Sequence, residues 1–270
     1  MKVLTYNIHG WLAPDGEPNL DAVADLIAAT GADLVGLNEV FHPHPTGAGA
    51  ALDRLAERLG LHYAFGPTVA ANPQPSAPAY GNALLSRGPI LAYAAHHLAP
   101  MADYGQRGLL EARVLLPTGR AFTVYVTHLD HRIEDLRLQQ WAAAVTWLGR
   151  DRARPHLLLG DFNALSAADF ADPGALGGIQ TVQAERGWAP PSFKLMAQVS
   201  KAGYADAFTE AGSGARDTWP ADRPDRRIDY ILFPVAWSGG LRACRVWDQP
   251  PALTASDHRP VLAEFAAPEA

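Results

Sequence analysis

Six short segments of this chain end apolar runs with acids, amides or histidines. They are Thr5-Tyr6-Asn7-Ile8-His9-Gly10, Gly36-Leu37-Asn38-Glu39-Val40, Thr127-His128-Leu129-Asp130, Gly160-Asp161-Phe162-Asn163-Ala164, Arg227-Ile228-Asp229-Tyr230-Ile231-Leu232 and Ser256-Asp257-His258-Arg259-Pro260-Val261. Each follows or contains residues rich in Val, Leu, Ile or Tyr, the composition of a buried strand. An unpaired carboxylate is costly inside such a strand. Such strands could deliver their ends to one sheet edge. There Asn7, Glu39, His128, Asp161, Asn163, Asp229, Asp257 and His258 would build a carboxylate-rich pocket with two imidazoles. A pocket of that composition suits a hard divalent cation and phosphate-ester chemistry.

The spacing between these segments predicts mixed strands and helices. A strand over 2–7 precedes a helix over 19–30, in which Leu20, Val23, Ala24 and Ile27 recur at helical spacing and Gly31 stands at the C-cap. Asp33 to Glu39 reads as a buried strand. Leu52, Leu55 and Leu59 mark a second amphipathic helix stopped by Gly60, and a strand follows near 61–65. Residues 66–80 hold Pro67, Pro73, Pro75 and Pro78 and read as a long surface loop at the mouth of the site. Strands are expected at 81–86, 89–98, 108–116 and 121–128, the last two joined by Pro117-Thr118-Gly119 as a hairpin. Ile133, Leu136, Trp141, Val145 and Leu148 define the longest helix. His156 to Gly160 is a short apolar strand, 165–225 looks irregular with short helices, and strands close the chain near 227–233, 241–247 and 259–265. Hairpins rather than strict βαβ alternation point to two stacked sheets with helices outside.

The 270 residues show no low-complexity linker and no short repeat, so a single domain over 1–270 is expected. No apolar run approaches the ~18 residues that span a bilayer. The start lacks the basic, apolar and small-residue pattern of a signal peptide. The lone Cys244 forbids an internal disulfide and reads as a small buried hydrophobe, which fits a reducing cytoplasm. The net charge of −6 and the scattered arginines disfavour a long nucleic acid as partner, since such binders carry a basic patch.

Each site residue has a bland alternative. Asn7 and Asn163 could be turn formers, Glu39 a cap or ion pair, and His128 a satisfied structural imidazole. Together they carry more weight. Asp161 and Asn163 alternate onto one face of their segment, with Gly160 letting the backbone pass close. Asp161 could orient or activate water. Asn163 could hold that water or a phosphate oxygen. A carboxylate such as Asp229 against one imidazole nitrogen fixes the tautomer and leaves the other nitrogen to take a proton or grip phosphate. Four carboxylates at one edge repel each other unless a cation is bound. Oxygen and amide donors without thiolates favour Mg²⁺ or Mn²⁺ over Zn²⁺. The chain has no nucleotide-binding phosphate loop, no His-Glu-x-x-His and no Gly-x-Ser-x-Gly elbow. His42-Pro43-His44-Pro45 reads as a surface loop, and His96-His97 as one ring in and one out.

Taken together and in this order, the segments from Thr5 to Val261 resemble the endonuclease/exonuclease/phosphatase superfamily, the deoxyribonuclease-I-like fold. The resemblance implies a four-layer α/β/β/α sandwich with the site at one end of the paired sheets, and Mg²⁺-dependent phosphoester hydrolysis by in-line attack of water, with Mn²⁺ as substitute. It implies that Asn7 and Glu39 form the metal-side pair and that Asp257 is an acid beside the metal. Asp229 would orient His258, and His128 would grip the phosphate or assist the leaving group. Asp161 and Asn163 match the Gly-Asp-Phe-Asn signature. Tyr80-Gly81-Asn82-Ala83-Leu84-Leu85-Ser86 and Gln106-Arg107-Gly108 match flanking segments, so Asn82 and Arg107 are substrate-side candidates; a turn amide and a surface ion pair are their alternatives.

Thr218-Trp219-Pro220 ahead of Arg226-Arg227-Ile228-Asp229 looks like the small bacterial phosphatase-type or sphingomyelinase-like members, where Trp219 would line the pocket mouth or cover the core. The expected substrate is a small or lipid-derived phosphodiester. A nuclease on DNA or RNA is the alternative, and a catalytically silent binding scaffold is a third. No protein partner is expected.

Overall fold

Period-two alternation along the central strands decides the architecture. The computed structural model describes residues 1–43, 45–46, 49–70, 78–98, 105–170, 174 and 176–266. In chain order the elements are β1 (Lys2–Asn7), α1 (Leu20–Thr30), β2 (Leu34–His42), the two-residue β3 (Pro45–Thr46) and β4 (Gly49–Ala50), α2 (Ala51–Leu59), β5 (His62–Ala70), β6 (Ala79–Ser86), β7 (Ile90–His97), β8 (Gly108–Leu115), β9 (Ala121–His128) and α3 (Glu134–Leu148). There follow β10 (His156–Asp161), α4 (Leu176–Glu185), α5 (Lys194–Lys201), β11 (Tyr204–Asp206), α6 (Ala207–Ala211), β12 (Asp229–Pro234), β13 (Leu241–Val246) and β14 (Val261–Phe265). One six-stranded sheet has the order β13-β14-β1-β2-β6-β5, and the other β11-β12-β10-β9-β8-β7. Each is mixed, with one parallel pair at its centre: β1 with β2, and β9 with β10.

Val3 on β1, Leu34 on β2, Val124 and Val126 on β9, Leu157 and Leu159 on β10, and Ile231 and Phe233 on β12 meet in one cluster between the sheets. The intervening residues face outward. Leu4, Tyr6, Val35 and Leu37 pack under α1 and α2, whose apolar stripes supply Val23, Ile27, Leu52 and Leu55. Tyr125 and Leu158 pack under α3 and α5 with Trp141, Leu148, Leu195 and Val199. Burying one such side chain contributes about 1.5–3 kcal/mol relative to leaving it exposed. The result is the α/β/β/α layering that the resemblance implied. α1 and α2 end on Gly31 and Gly60, both in the left-handed cap conformation. No helix among the described residues is long and apolar enough to cross a membrane.

Several boundaries differ from the sequence expectations. β5 runs past Pro67 to Ala70 instead of giving way to a loop at 66. It is an edge strand, and its register shifts between Pro67 and Val69, so the missing N–H breaks no central ladder. Of the expected loop, residues 71–77 lie outside the described residues. β2 does not stop at Glu39 but continues to His42 through an irregularity. β12 starts at Asp229, so that acid opens the strand rather than sitting within it. The region 165–225 contains one strand the sequence did not signal, the three-residue β11 paired to β12. His96 stacks on Trp147 with ring centroids 3.7 Å apart, while His97 is exposed. His44 lies outside the described residues.

Candidate active site

The inner faces that build the core also build the site. Continuing the alternation Val3-Thr5-Asn7, Val124-Val126-His128, Leu157-Leu159-Asp161 and Phe233-Ile231-Asp229 carries each strand from apolar to polar at the same end. The parallel register sets Asp161 beside His128, and the antiparallel register sets it beside Asp229. Gly160 is required between them. Its φ is +144°, and a Cβ there would lie 1.8 Å from the Thr127 carbonyl oxygen.

Glu39 breaks the alternation. Strict period two would send it outward with Val35 and Leu37. Instead its φ is +58°, within the register shift between Leu37 and Val40, and it lines the cavity. A bulge that re-aims one side chain is a recurrent device beside active sites. Asn163, with φ +49°, is a second left-handed residue at the site.

The two sheets are pinned together beneath the pocket by Asn38. Its Oδ1 accepts from the Asp161 backbone N–H at 2.9 Å, and its Nδ2 donates to the Thr127 carbonyl at 2.9 Å and to Asn82 Oδ1 at 2.8 Å. Asn82 in turn donates to the Gly108 carbonyl at 3.1 Å. Asn82 is therefore buried under the site and does not line the cavity, unlike the substrate-side position expected for it. Ser256 ties the last segment to the first: its hydroxyl donates to the Asn7 carbonyl at 2.7 Å and accepts from the His258 N–H at 3.2 Å.

Glu39, Arg107, His128, Asp161, Asn163, Asp257 and His258 line one cavity of about 370 Å³, with Asn7 and Asp229 immediately behind. Asn7 Nδ2 lies 3.0 Å from Glu39 Oε1 and 3.1 Å from Asp161 Oδ2, so one amide bridges two carboxylates from different sheets. The Asn7 Oδ1 accepts from the His9 N–H at 3.1 Å. This geometry fits an Asn7 side chain that holds the two carboxylates in place. Asp229 Oδ2 is 2.9 Å from His258 Nδ1, and His258 Nε2 is 3.7 Å from Asp161 Oδ2. His128 Nε2 lies 3.5 Å from Asp161 Oδ2 and 3.1 Å from Asn163 Nδ2, which also donates to the Leu129 carbonyl. With that amide donating, the network assigns the remaining His128 proton to Nδ1, facing the Tyr80 hydroxyl at 3.2 Å.

The electrostatics separate the groups. Burial, with Asp229 adding to it, pushes the Asp161 carboxyl up to about 7. Burial alone would lower the His258 imidazole, but Asp229 and then Asp161 outweigh it and lift the group to about 10. His128 is held well below the usual imidazole value, first by burial and then by Arg107 and His258. One imidazole is thus cationic at neutral pH and the other neutral.

The donor set fits a hard cation. Glu39, Asp161 and Asp257 present carboxylates to one cavity, no thiolate is near, and burial together with the Asp229 charge holds Asp161 partly protonated even though His258 offsets part of that push. Donor atoms of Asp161, Asp229 and His258 also lie within 4.8 Å of one another. Since His258 and Asp229 already share a hydrogen bond, that trio fits proton handling better than ligation.

A family model for endonuclease/exonuclease/phosphatase proteins matches residues 4–258. The chain belongs to this family. Family members are phosphoester hydrolases and generally depend on a divalent metal. Among solved structures the family fold recurs in an endonuclease/exonuclease/phosphatase from Beutenbergia cavernae, at 24% identity and TM-score 0.73 over 98% of this chain and 71% of that one. It recurs in a mannosyl-6-phosphatase of Bacteroides thetaiotaomicron, at 18% identity and TM-score 0.72 over 99% and 100%. A 3′ phosphatase from Neisseria, solved with a product DNA hairpin, is similar at 21% identity and TM-score 0.66 over 99% and 100%. No curated protein matches the chain in sequence.

Sequence reasoning did not single out Asn38, Tyr80, His131, Arg186, Trp188 or Ser256 as site residues. Asn38, Tyr80 and Ser256 lay inside the strand-end and flanking segments, which was the only signal. Trp219 stands at the cavity wall and donates through Nε1 to Asp257 Oδ2 at 3.2 Å.

Proposed function

We propose that this chain is a divalent-cation-dependent phosphoesterase hydrolysing a small phosphate ester, a phosphodiester of a small molecule or lipid-derived head group being favoured, by in-line attack of water. The observation that carries this reading is the convergence of Glu39, His128, Asp161, Asn163, Asp257 and His258 on one cavity. Mg²⁺ is the favoured ion and Mn²⁺ its substitute, held by Glu39 and Asp257 with Asn7 supporting. A bound cation would polarise a phosphoryl oxygen and offset the charge that develops in the transition state.

Asp161, poised near neutrality, is suited to take the proton of the attacking water. His258, cationic and fixed by Asp229, is placed to stabilise negative charge on the phosphoryl group. The Asn163 amide and the neutral His128 form the opposite wall, suited to orient a phosphate oxygen or the leaving group. Arg107, 7% exposed and lining the cavity, is a substrate-side cation, and Asn82 acts as a positioning residue through Asn38.

The test is a substrate panel with Mg²⁺ or Mn²⁺: phospholipid head-group diesters, sugar and inositol phosphates, nucleotides and supercoiled plasmid. Turnover of the small esters with intact plasmid supports the reading. Plasmid nicking that weakens steeply with salt, at rates above those of the small esters, would replace it with the nuclease alternative.

A further inference from the structure

One wall of the cavity, running from Arg107 to Trp219, is a chain of contacts. Arg107 Nη2 lies 3.2 Å from His131 Nδ1. The His131 ring meets Trp188 edge-on at 5.4 Å. The Arg186 guanidinium lies 4.9 Å from the centre of the Trp188 ring and 5.4 Å from that of Trp219. Arg226 covers Trp219 at 4.9 Å but is neutralised by Asp225 at 2.6 Å.

Arg107 and Arg186 differ from Arg226. Neither has an ion pair among the described residues. Arg107 is nine-tenths buried, and its Nε has no hydrogen-bond partner. A buried guanidinium that lines a cavity without a counter-ion points to an anion that completes it. Two guanidiniums without a counter-ion, one resting against two indole rings, make an anion clamp. In a chain of net charge −6, two guanidiniums without counter-ions on one cavity are a local concentration of positive charge.

We propose that this wall is a second anion subsite, so that the substrate is a small molecule whose departing part carries a further negative group. The proposal rests on the phosphoesterase reading for which phosphoryl group is cleaved, but not for the binding itself. Arg107 lies next to His131 and close to the reaction centre. Arg186 receives the second anion, and Trp188 the ring that bears it. A cavity of about 370 Å³ suits a ligand of this size. Two sources share the chemistry, a sugar bisphosphate and a nucleoside bisphosphate.

Calorimetric titration tests this in the Asp161→Asn background with Mg²⁺ present, where turnover is suppressed. Glucose 1,6-bisphosphate is compared with glucose 6-phosphate, and adenosine 3′,5′-bisphosphate with adenosine 5′-phosphate. In one pair or both, the second phosphate should tighten binding at least about tenfold, the size of one charge-assisted hydrogen bond. The pair that responds identifies the ring. Adding Arg186→Ala, an exposed position, should reduce that advantage to within about threefold, and Arg186→Lys should restore part of it. Equal affinities within both pairs, or an advantage that survives Arg186→Ala, overturns the subsite. Turnover of wild type is read separately. Hydrolysis without the preference removes the subsite alone, whereas the preference without hydrolysis supports it and removes the phosphoesterase reading.

Discussion

His258 Nδ1 and Asp229 Oδ2 lie 2.9 Å apart, both residues buried, and Asp229 does not line the cavity. Asp229 therefore reaches a substrate only through His258, whose charge and tautomer it sets. Asp229→Asn keeps the volume but removes the charge. It should lower kcat by about 10² or more, the usual scale of one proton-handling group, with KM changed little. Steady-state kinetics decide; a KM effect alone would move Asp229 out of the charge-setting role.

The same pair sets a stability window. The His258 pKa is raised in the fold from 6.5 to about 10, so the stabilisation it gives is full below 6.5 and is lost as pH rises through about 10. Asp161, raised to about 7, acts in the same direction at lower pH, because its fold-favoured form is the protonated one. The metal-free protein should therefore lose stability between pH 7 and 10, at up to roughly 1.4 kcal/mol per pH unit for one linked proton. Chemical denaturation across that range should show the slope, and Asp229→Asn should flatten it. Equal slopes in the two proteins would contradict the linkage.

Asn38 makes three hydrogen bonds, two of them across the sheet interface to Thr127 and Asp161, and touches no substrate. Asn38→Leu leaves the Asp161 N–H and the Thr127 carbonyl buried without that partner. The expected loss is at least about 2 kcal/mol, since each orphaned buried group costs 1–3 kcal/mol. Urea midpoints measure it, and a loss below about 0.5 kcal/mol would show that the interface re-forms without the amide.

Much of this site was legible because strand alternation is local. Asn7, His128 and Asp161 stand on the same face as the Val and Leu residues before them, and each marks where a core face turns polar. Glu39 was legible as a residue but not as a geometry, because a bulge rather than the alternation turns it inward. Asn38 and Ser256 were not legible as fasteners. Their partners lie 123 and 249 residues away in the chain, and no pattern inside one strand reports such a bond. The reach of β5 beyond Pro67 was hidden because proline argues against a strand until the strand is known to be an edge. The Arg186 and Trp188 wall was missed for a related reason: it belongs to the end of α4 and the turn after it, in the stretch read as irregular.

Cation binding should couple to folding, because only the native state gathers Glu39, Asp161 and Asp257. At ~100 times the dissociation constant, Mg²⁺ should stabilise the protein by roughly 2.7 kcal/mol. The effect should weaken as pH falls below about 7, where protons compete for Asp161. Thermal melts with and without the ion at pH 6 and 8 test both statements, and a Tm indifferent to millimolar Mg²⁺ at pH 8 would remove the cation site.

The most direct test of the central claim is hydrolysis of bis(p-nitrophenyl) phosphate by the wild type and by the Asp161→Ala, His258→Ala double variant. Wild-type turnover should require Mg²⁺ or Mn²⁺, stop on chelation, and exceed that of the folded double variant by about 10³ or more, the combined scale of a base and an electrostatic stabiliser. Equal rates in the two proteins, or wild-type turnover that ignores the chelator, would contradict the account.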